Sequence, residues 1–116
     1  MSTVLFGIKN CDTVKKARQW LEQNGVEHQF HDFREDGINS EQVNNWLKEL
    51  GWQTLINKRS TSWKQLDPAQ REAMDNALAA TAIMAQPTLI KRPLLDLGDK
   101  RSVGFKAADY QALFNN

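Results

Sequence analysis

Apolar positions along the chain fall into short runs with different periods. Residues 3–8 (Thr-Val-Leu-Phe-Gly-Ile) are apolar and β-branched without alternation, which suits a strand covered on both faces. Beyond Lys9-Asn10-Cys11-Asp12, apolar residues recur at Val14, Ala17, Trp20 and Leu21, the period of an amphipathic helix, and Gly25 stands at its expected stop. Val26 to Phe33 reads as a second strand, with Phe30 and Phe33 as its large contributors. This β-α-β order predicts parallel strands joined by a right-handed crossover.

A polar turn at Arg34-Glu35-Asp36-Gly37 leads to Ser40, expected as the N-cap of a helix with Val43, Trp46, Leu47 and Leu50 on one face and Gly51 at its end. Residues 52–66 are less regular. Asp67-Pro68 is a strong helix start, and the alanine-rich segment to Ala85 reads as two helices with a break near Ala79–Thr81. Thr88 to Ile90 is expected as a strand reaching Lys91-Arg92-Pro93, with Leu94 to Leu97 continuing extended. Gly98-Asp99 then turns the chain into a hairpin with Ser102–Phe105, and a last helix starts near Ala107, carrying Ala108, Leu113 and Phe114. The sum is an α/β chain with a central four-stranded mixed sheet: one thioredoxin-like domain over 1–116, with a helical insertion at about 38–86.

Composition narrows the function classes. The 116 residues carry 15 basic and 14 acidic side chains, net +1, which argues against a nucleic-acid binder that works by neutralising phosphates. No apolar run is long enough for a membrane span, and the opening Met-Ser-Thr-Val-Leu-Phe-Gly lacks the form of a signal peptide. The expectation is a cytoplasmic monomer. With one cysteine, Cys11, neither an intramolecular disulfide nor a cysteine-pair metal site can form, and no metal is expected. Redox work at Cys11 would need a partner sulfur from another molecule.

Cys11 stands where the first strand hands over to the first helix. Unpaired N–H groups and the positive end of the helix dipole favour an anion there, and a thiolate is one. Lys9, Lys15 and Lys16 add positive charge nearby, Asp12 opposes it, and Thr13 can offer a hydroxyl to the sulfur. The competing reading is a buried structural thiol. A phosphatase-like loop would need arginine where Ala17 stands, and His28 and His31 read as exposed strand residues. Taken alone, Lys58, Arg59 and Arg92 fit a solvated surface as well as a site.

Three segments carry a further signal: Gly7-Ile8-Lys9-Asn10-Cys11-Asp12-Thr13, then Arg59-Ser60-Thr61-Ser62-Trp63, then Ile90-Lys91-Arg92-Pro93-Leu94-Leu95 with Val103-Gly104-Phe105. In this order they resemble the ArsC (arsenate reductase) family, and within it the small YffB branch related to the Spx/MgsR regulators. The resemblance implies a thioredoxin-like fold with a helical insertion and a cis peptide before Pro93 facing the cysteine. It also implies Cys11 as nucleophile and Arg92 and Arg59 as substrate- or thiol-binding residues, to which the charge of Lys9 and the hydroxyl of Thr13 beside the cysteine add two local candidates. In that family's arsenate reductases a cysteine thiolate attacks the arsenate oxyanion, and glutathione with glutaredoxin resolves the adduct. The lone thiol at a helix start and the arginine motifs together give the favoured expectation, a glutathione-dependent thiol reductase with glutathione as co-substrate, no bound cofactor, and glutaredoxin as a candidate partner. A third arginine of the arsenate reductases has no counterpart: the aligned place is Gly104, with Arg101 and Lys106 nearby. The Cys-x-x-Cys switch of Spx-type regulators is absent too, since Val14 occupies its second position. Arsenate reductase and a non-catalytic regulator binding RNA polymerase stand as alternatives, and an anion-binding domain without turnover as the plainest one.

Overall fold

Hydrogen bonding along the backbone divides the first third of the chain much as the apolar pattern does. The structure, a computed structural model, describes residues 3–114; Met1 and Ser2 of the opening segment lie outside the described residues. The chain forms two compact units, one of residues up to Asp32 and from Arg92 onward, the other Phe33–Lys91.

The first unit holds β1 (Val4–Gly7), α1 (Asp12–Gln23), β2 (Gln29–Asp32), β3 (Leu94–Asp96), β4 (Arg101–Val103) and, at the C-terminal end, α7 (Ala107–Phe114). The sheet order is β2-β1-β3-β4. β1 runs parallel to β2 and antiparallel to β3, and β3 runs antiparallel to β4. This is the thioredoxin-like arrangement expected from the order of elements. Leu5 and Leu95 are register partners, and with Val14, Ala17, Leu21 and Tyr110 they form a core cluster in which every residue is fully buried.

The end of α1 shows how local chemistry shapes this unit. Gly25 has φ +67°, a left-handed conformation that glycine adopts without steric penalty. It lets the Gly25 N–H reach Glu22 O at 3.2 Å and the Val26 N–H reach Leu21 O at 2.9 Å, the paired bonds of a Schellman stop. Val26 is therefore spent on the helix stop, and β2 begins only at Gln29. Phe33 lies past the strand in a turn, buried edge-on to Trp46 at 6.4 Å.

The second unit is helical: α2 (Ser40–Leu50), α3 (Trp52–Leu55), α4 (Thr61–Lys64), α5 (Pro68–Glu72) and α6 (Asn76–Ala85), all between β2 and β3 in chain order. Several boundaries differ from expectation. Asn39, rather than Ser40, caps α2, accepting from the Gln42 N–H at 3.0 Å. The alanine-rich segment does divide into two helices, but the break falls at 73–75, where the Asp75 carboxylate accepts from the Leu78 N–H and starts α6. Thr88–Ile90 is not a strand. Pro87 opens a 3-10 turn over Pro87–Leu89, closed by Leu89 N–H to Gln86 O and Ile90 N–H to Pro87 O. Only Ile90 pairs, as an isolated antiparallel bridge to Ile56. The hairpin strand β4 likewise ends at Val103, because Gly104 takes φ +79°. Among the described residues no helix is long and apolar enough to cross a membrane.

Candidate functional site

The connection from β1 to α1 is short and strongly constrained. Gly7 ends β1 under α1: a Cβ there would stand 2.7 Å from a Val14 methyl, so glycine at this position permits the helix to approach the strand. Ile8 is buried, whereas Lys9 and Asn10 are exposed. Cys11 then takes the N-cap of α1 with extended backbone (φ −125°, ψ 120°) and makes no side-chain capping bond. Its carbonyl accepts the Lys15 N–H at 3.0 Å and so opens the helical ladder. The thiol is half-buried, resting on the edge of the Leu5–Tyr110 core cluster, so the fully buried structural thiol is not what forms here. Thr13, Lys15 and Lys16 are exposed in the first turns of α1.

The neighbouring strands bring two further groups to the same end of the sheet. Phe6 pairs with Leu94, the last paired residues toward this end of the antiparallel β1–β3 ladder, so the residues just before Leu94 enter the sheet at the end where β1 finishes. These are Arg92, half-buried, and Pro93, buried, joined by a cis peptide as the resemblance implies. Pro93 O accepts the Gly104 N–H at 2.9 Å, which ties this step to the far side of the hairpin. On the other flank, Asp32 at the end of β2 accepts the Lys9 N–H at 3.1 Å.

Cys11, Lys9, Thr13, Arg92 and Pro93 thus belong to one unit and to one end of its sheet. Arg59 belongs to the second unit. It is exposed, and its N–H donates to Asn57 Oδ1 at 3.0 Å. The rest of its motif serves the local fold. Ser60 caps α4 by accepting from the Trp63 N–H and donates to Asn57 O, Ser62 hydrogen-bonds Thr88, and Trp63 stacks on Trp52 at 6.1 Å. Lys58 lies over the same Trp52 ring at 5.0 Å. The two histidines are half-buried rather than exposed. His31 lies against Phe6 at 4.8 Å between ring centroids, and His28 Nδ1 is 3.0 Å from Val26 O. Asp32 joins the site only through the fold. Its only sequence signal is an acidic residue between His31 and Phe33, inside a run that otherwise reads as a strand.

Comparison with known proteins bears on this geometry. The ArsC family model matches residues 6–113. An uncharacterized protein of Haemophilus influenzae is 43% identical over 110 residues, covering 95% of this chain and 96% of its own length. The solved YFFB protein superposes with a TM-score of 0.91 at 47% identity, covering 96% of this chain and 97% of its own. An arsenate reductase (ArsC) related protein from Brucella melitensis gives a TM-score of 0.80 at 42% identity, over 100% of this chain and 97% of its own. More distant is the global transcriptional regulator Spx of Lactiplantibacillus plantarum, 28% identical over 105 residues, 88% of this chain and 78% of that protein.

Proposed function

Because this chain belongs to the ArsC family, we propose that it is a thiol-redox enzyme in which Cys11 is the nucleophile and glutathione the co-substrate. The observation that carries the reading is the half-buried lone thiol at the N-cap of α1, with Arg92 at the same end of the sheet. Helix N-termini favour thiolate over thiol, and a guanidinium offers a planar fork that matches a carboxylate. Glutathione carries two carboxylates for such a fork.

The chemistry needs only one protein sulfur. The Cys11 thiolate attacks the glutathionyl sulfur of a mixed disulfide R–S–S–G, a new S–S bond forms to Cys11, and R–S⁻ leaves and takes up a proton. The thiolate of a second glutathione then attacks that glutathionyl sulfur, releasing oxidised glutathione and regenerating the Cys11 thiolate. The net reaction is R–S–S–G plus GSH giving R–SH plus GSSG, so R is reduced at the expense of glutathione. Arg92 binds a glutathione carboxylate, Lys9 adds positive charge beside it, and Thr13 offers its hydroxyl to the sulfur. Pro93 shapes the Arg92 step. Arg59 enters through the family resemblance, as an exposed guanidinium open to solutes. Glutaredoxin is the protein partner the scheme accommodates, as an alternative attacking thiol.

Mass spectrometry after exposure to oxidised glutathione tests the proposal. One glutathionyl adduct on Cys11 is expected, with none on Cys11→Ser and none of the coupled turnover that the wild type shows. An unmodified Cys11, or turnover that survives Cys11→Ser, overturns it. Arsenate turnover in the same coupled assay separates a reductase of arsenate from a reductase of disulfides. Gly104, where the arsenate reductases place an arginine, bears on this choice: its positive φ and its bond to Pro93 O serve the hairpin. The kinship with Spx gives a second reading, binding to RNA polymerase, which a pull-down with the polymerase α subunit would reveal.

A further inference from the structure

Asp32 ends β2 with its side chain withdrawn from water; the residue is 3% exposed. A buried carboxylate is costly unless hydrogen bonds satisfy it, and this one accepts the backbone N–H of Lys9 at 3.1 Å. Strand register explains how. Asp32 is the partner of Gly7, the last pair of the β1–β2 ladder. Beyond it the chain turns out of the sheet at 33–36, so β2 supplies no further ladder residue to the segment leaving β1. The carboxylate takes that place.

We infer that Asp32 is a positioning residue for Cys11: by holding the Lys9 amide it fixes the turn that sets the thiol at the start of α1. This rests on the reading of Cys11 as the reacting group. The turn is pinned on both sides of Asn10, by Asp32 at the Lys9 N–H and by the first helical bond from Lys15 to Cys11 O. A reacting atom held in one place reacts faster than one that samples many. A hydrogen bond from the Lys9 N–H to a buried acceptor is one way to hold it.

The test compares the full-length protein with Asp32→Asn, Asp32→Ala and Asp32→Leu. It reads the rate of Cys11 alkylation by iodoacetamide, the rate of glutathionyl adduct formation, and the melting temperature. Asparagine keeps an oxygen able to accept from Lys9. Alanine and leucine do not, and leucine fills the space, so that a folded variant without the acceptor is in hand. The expected result is a loss of about tenfold in both rates for the two variants lacking the acceptor. Asp32→Asn should return to within about twofold of wild type. Wild-type rates in a folded Asp32→Ala or Asp32→Leu overturn the inference. So does an Asp32→Asn as slow as those two, since an acceptor for the Lys9 N–H would then not restore the rate. Failure of the glutathione reading looks different: the wild type would form no adduct, while its iodoacetamide rate still fell when the acceptor was removed.

Discussion

Cys11 and Tyr110 belong to one core cluster of the first unit yet differ fully in access: the thiol is half-buried at its edge and the phenol is completely buried. Burial raises the Tyr110 phenol well above its ordinary pKa, because the ionised form would sit in an apolar site. An unfolded tyrosine ionises near pH ~10, so above that the unfolded state releases a proton that the native state keeps. The associated stability is intact below about pH 10 and falls as pH rises further, by about 1.4 kcal/mol per unit. Tyr110→Phe should flatten that fall, measured by urea unfolding at neutral pH and about one unit above pH 10. At neutral pH it should be neutral or stabilise by up to about 1 kcal/mol, since the buried Tyr110 hydroxyl has no hydrogen-bond partner among the described residues and its removal breaks no bond. For Arg92, replacement by alanine should slow adduct formation on Cys11 roughly tenfold or more while sparing the melting temperature, as expected when a charged hydrogen bond to a ligand is lost. The place of Cys11 at a strand-to-helix junction was readable from the residues around it. Tyr110 was not, because Leu113 and Phe114 suggested the buried face of α7, and both end half-buried.

At the level of elements, the approach of α1 to β1 is set by one missing side chain. Gly7→Ala would place a Cβ 2.7 Å from a Val14 methyl, and the clash is with a branched side chain on the helix itself. A loss of about 1–3 kcal/mol is expected in chemical denaturation, with a change in Cys11 reactivity because α1 carries that residue at its cap. Gly25→Ala tests the other end of α1. With φ +67° at that position and open space around it, the cost should be conformational alone, about 1–2 kcal/mol, leaving Cys11 chemistry unchanged. Starts and stops written in short-range chemistry were mostly placed well: Gly25, Gly51 and Asp67-Pro68 act as their residue types dictate. The break before α6 lies earlier than the pattern suggests, because alanine-rich sequence is helical everywhere by propensity. The position was decided by which polar side chain, Asp75, captured a free N–H.

Across the molecule, each unit has its own buried centre. In the first, the central strands β1 and β3 lie between partners on both sides, and Leu5, Leu94 and Leu95 are fully buried. Their amides should be the slowest of that unit in hydrogen exchange, and slower than those of the outer strands β2 and β4; comparable rates would contradict the strand order. In the second, Trp46, Leu47, Leu55, Ile83, Leu89 and Ile90 are among the large fully buried side chains, and among the described residues no strand is formed beyond the Ile56–Ile90 bridge. The amino-acid order by itself determined the alternation of strands and helices, the mixed sheet and the lone thiol at a helix start. Such features follow from side-chain period, capping groups and backbone sterics, which act over a few residues. Only the tertiary structure decided that Asp32 reaches the Lys9 amide, that Arg92 enters the sheet at the end where β1 finishes, and that Tyr110 is the buried residue of α7. Those outcomes depend on strand register and helix packing between distant segments; one step of register in β2 would turn the Asp32 side chain to the other face of the sheet.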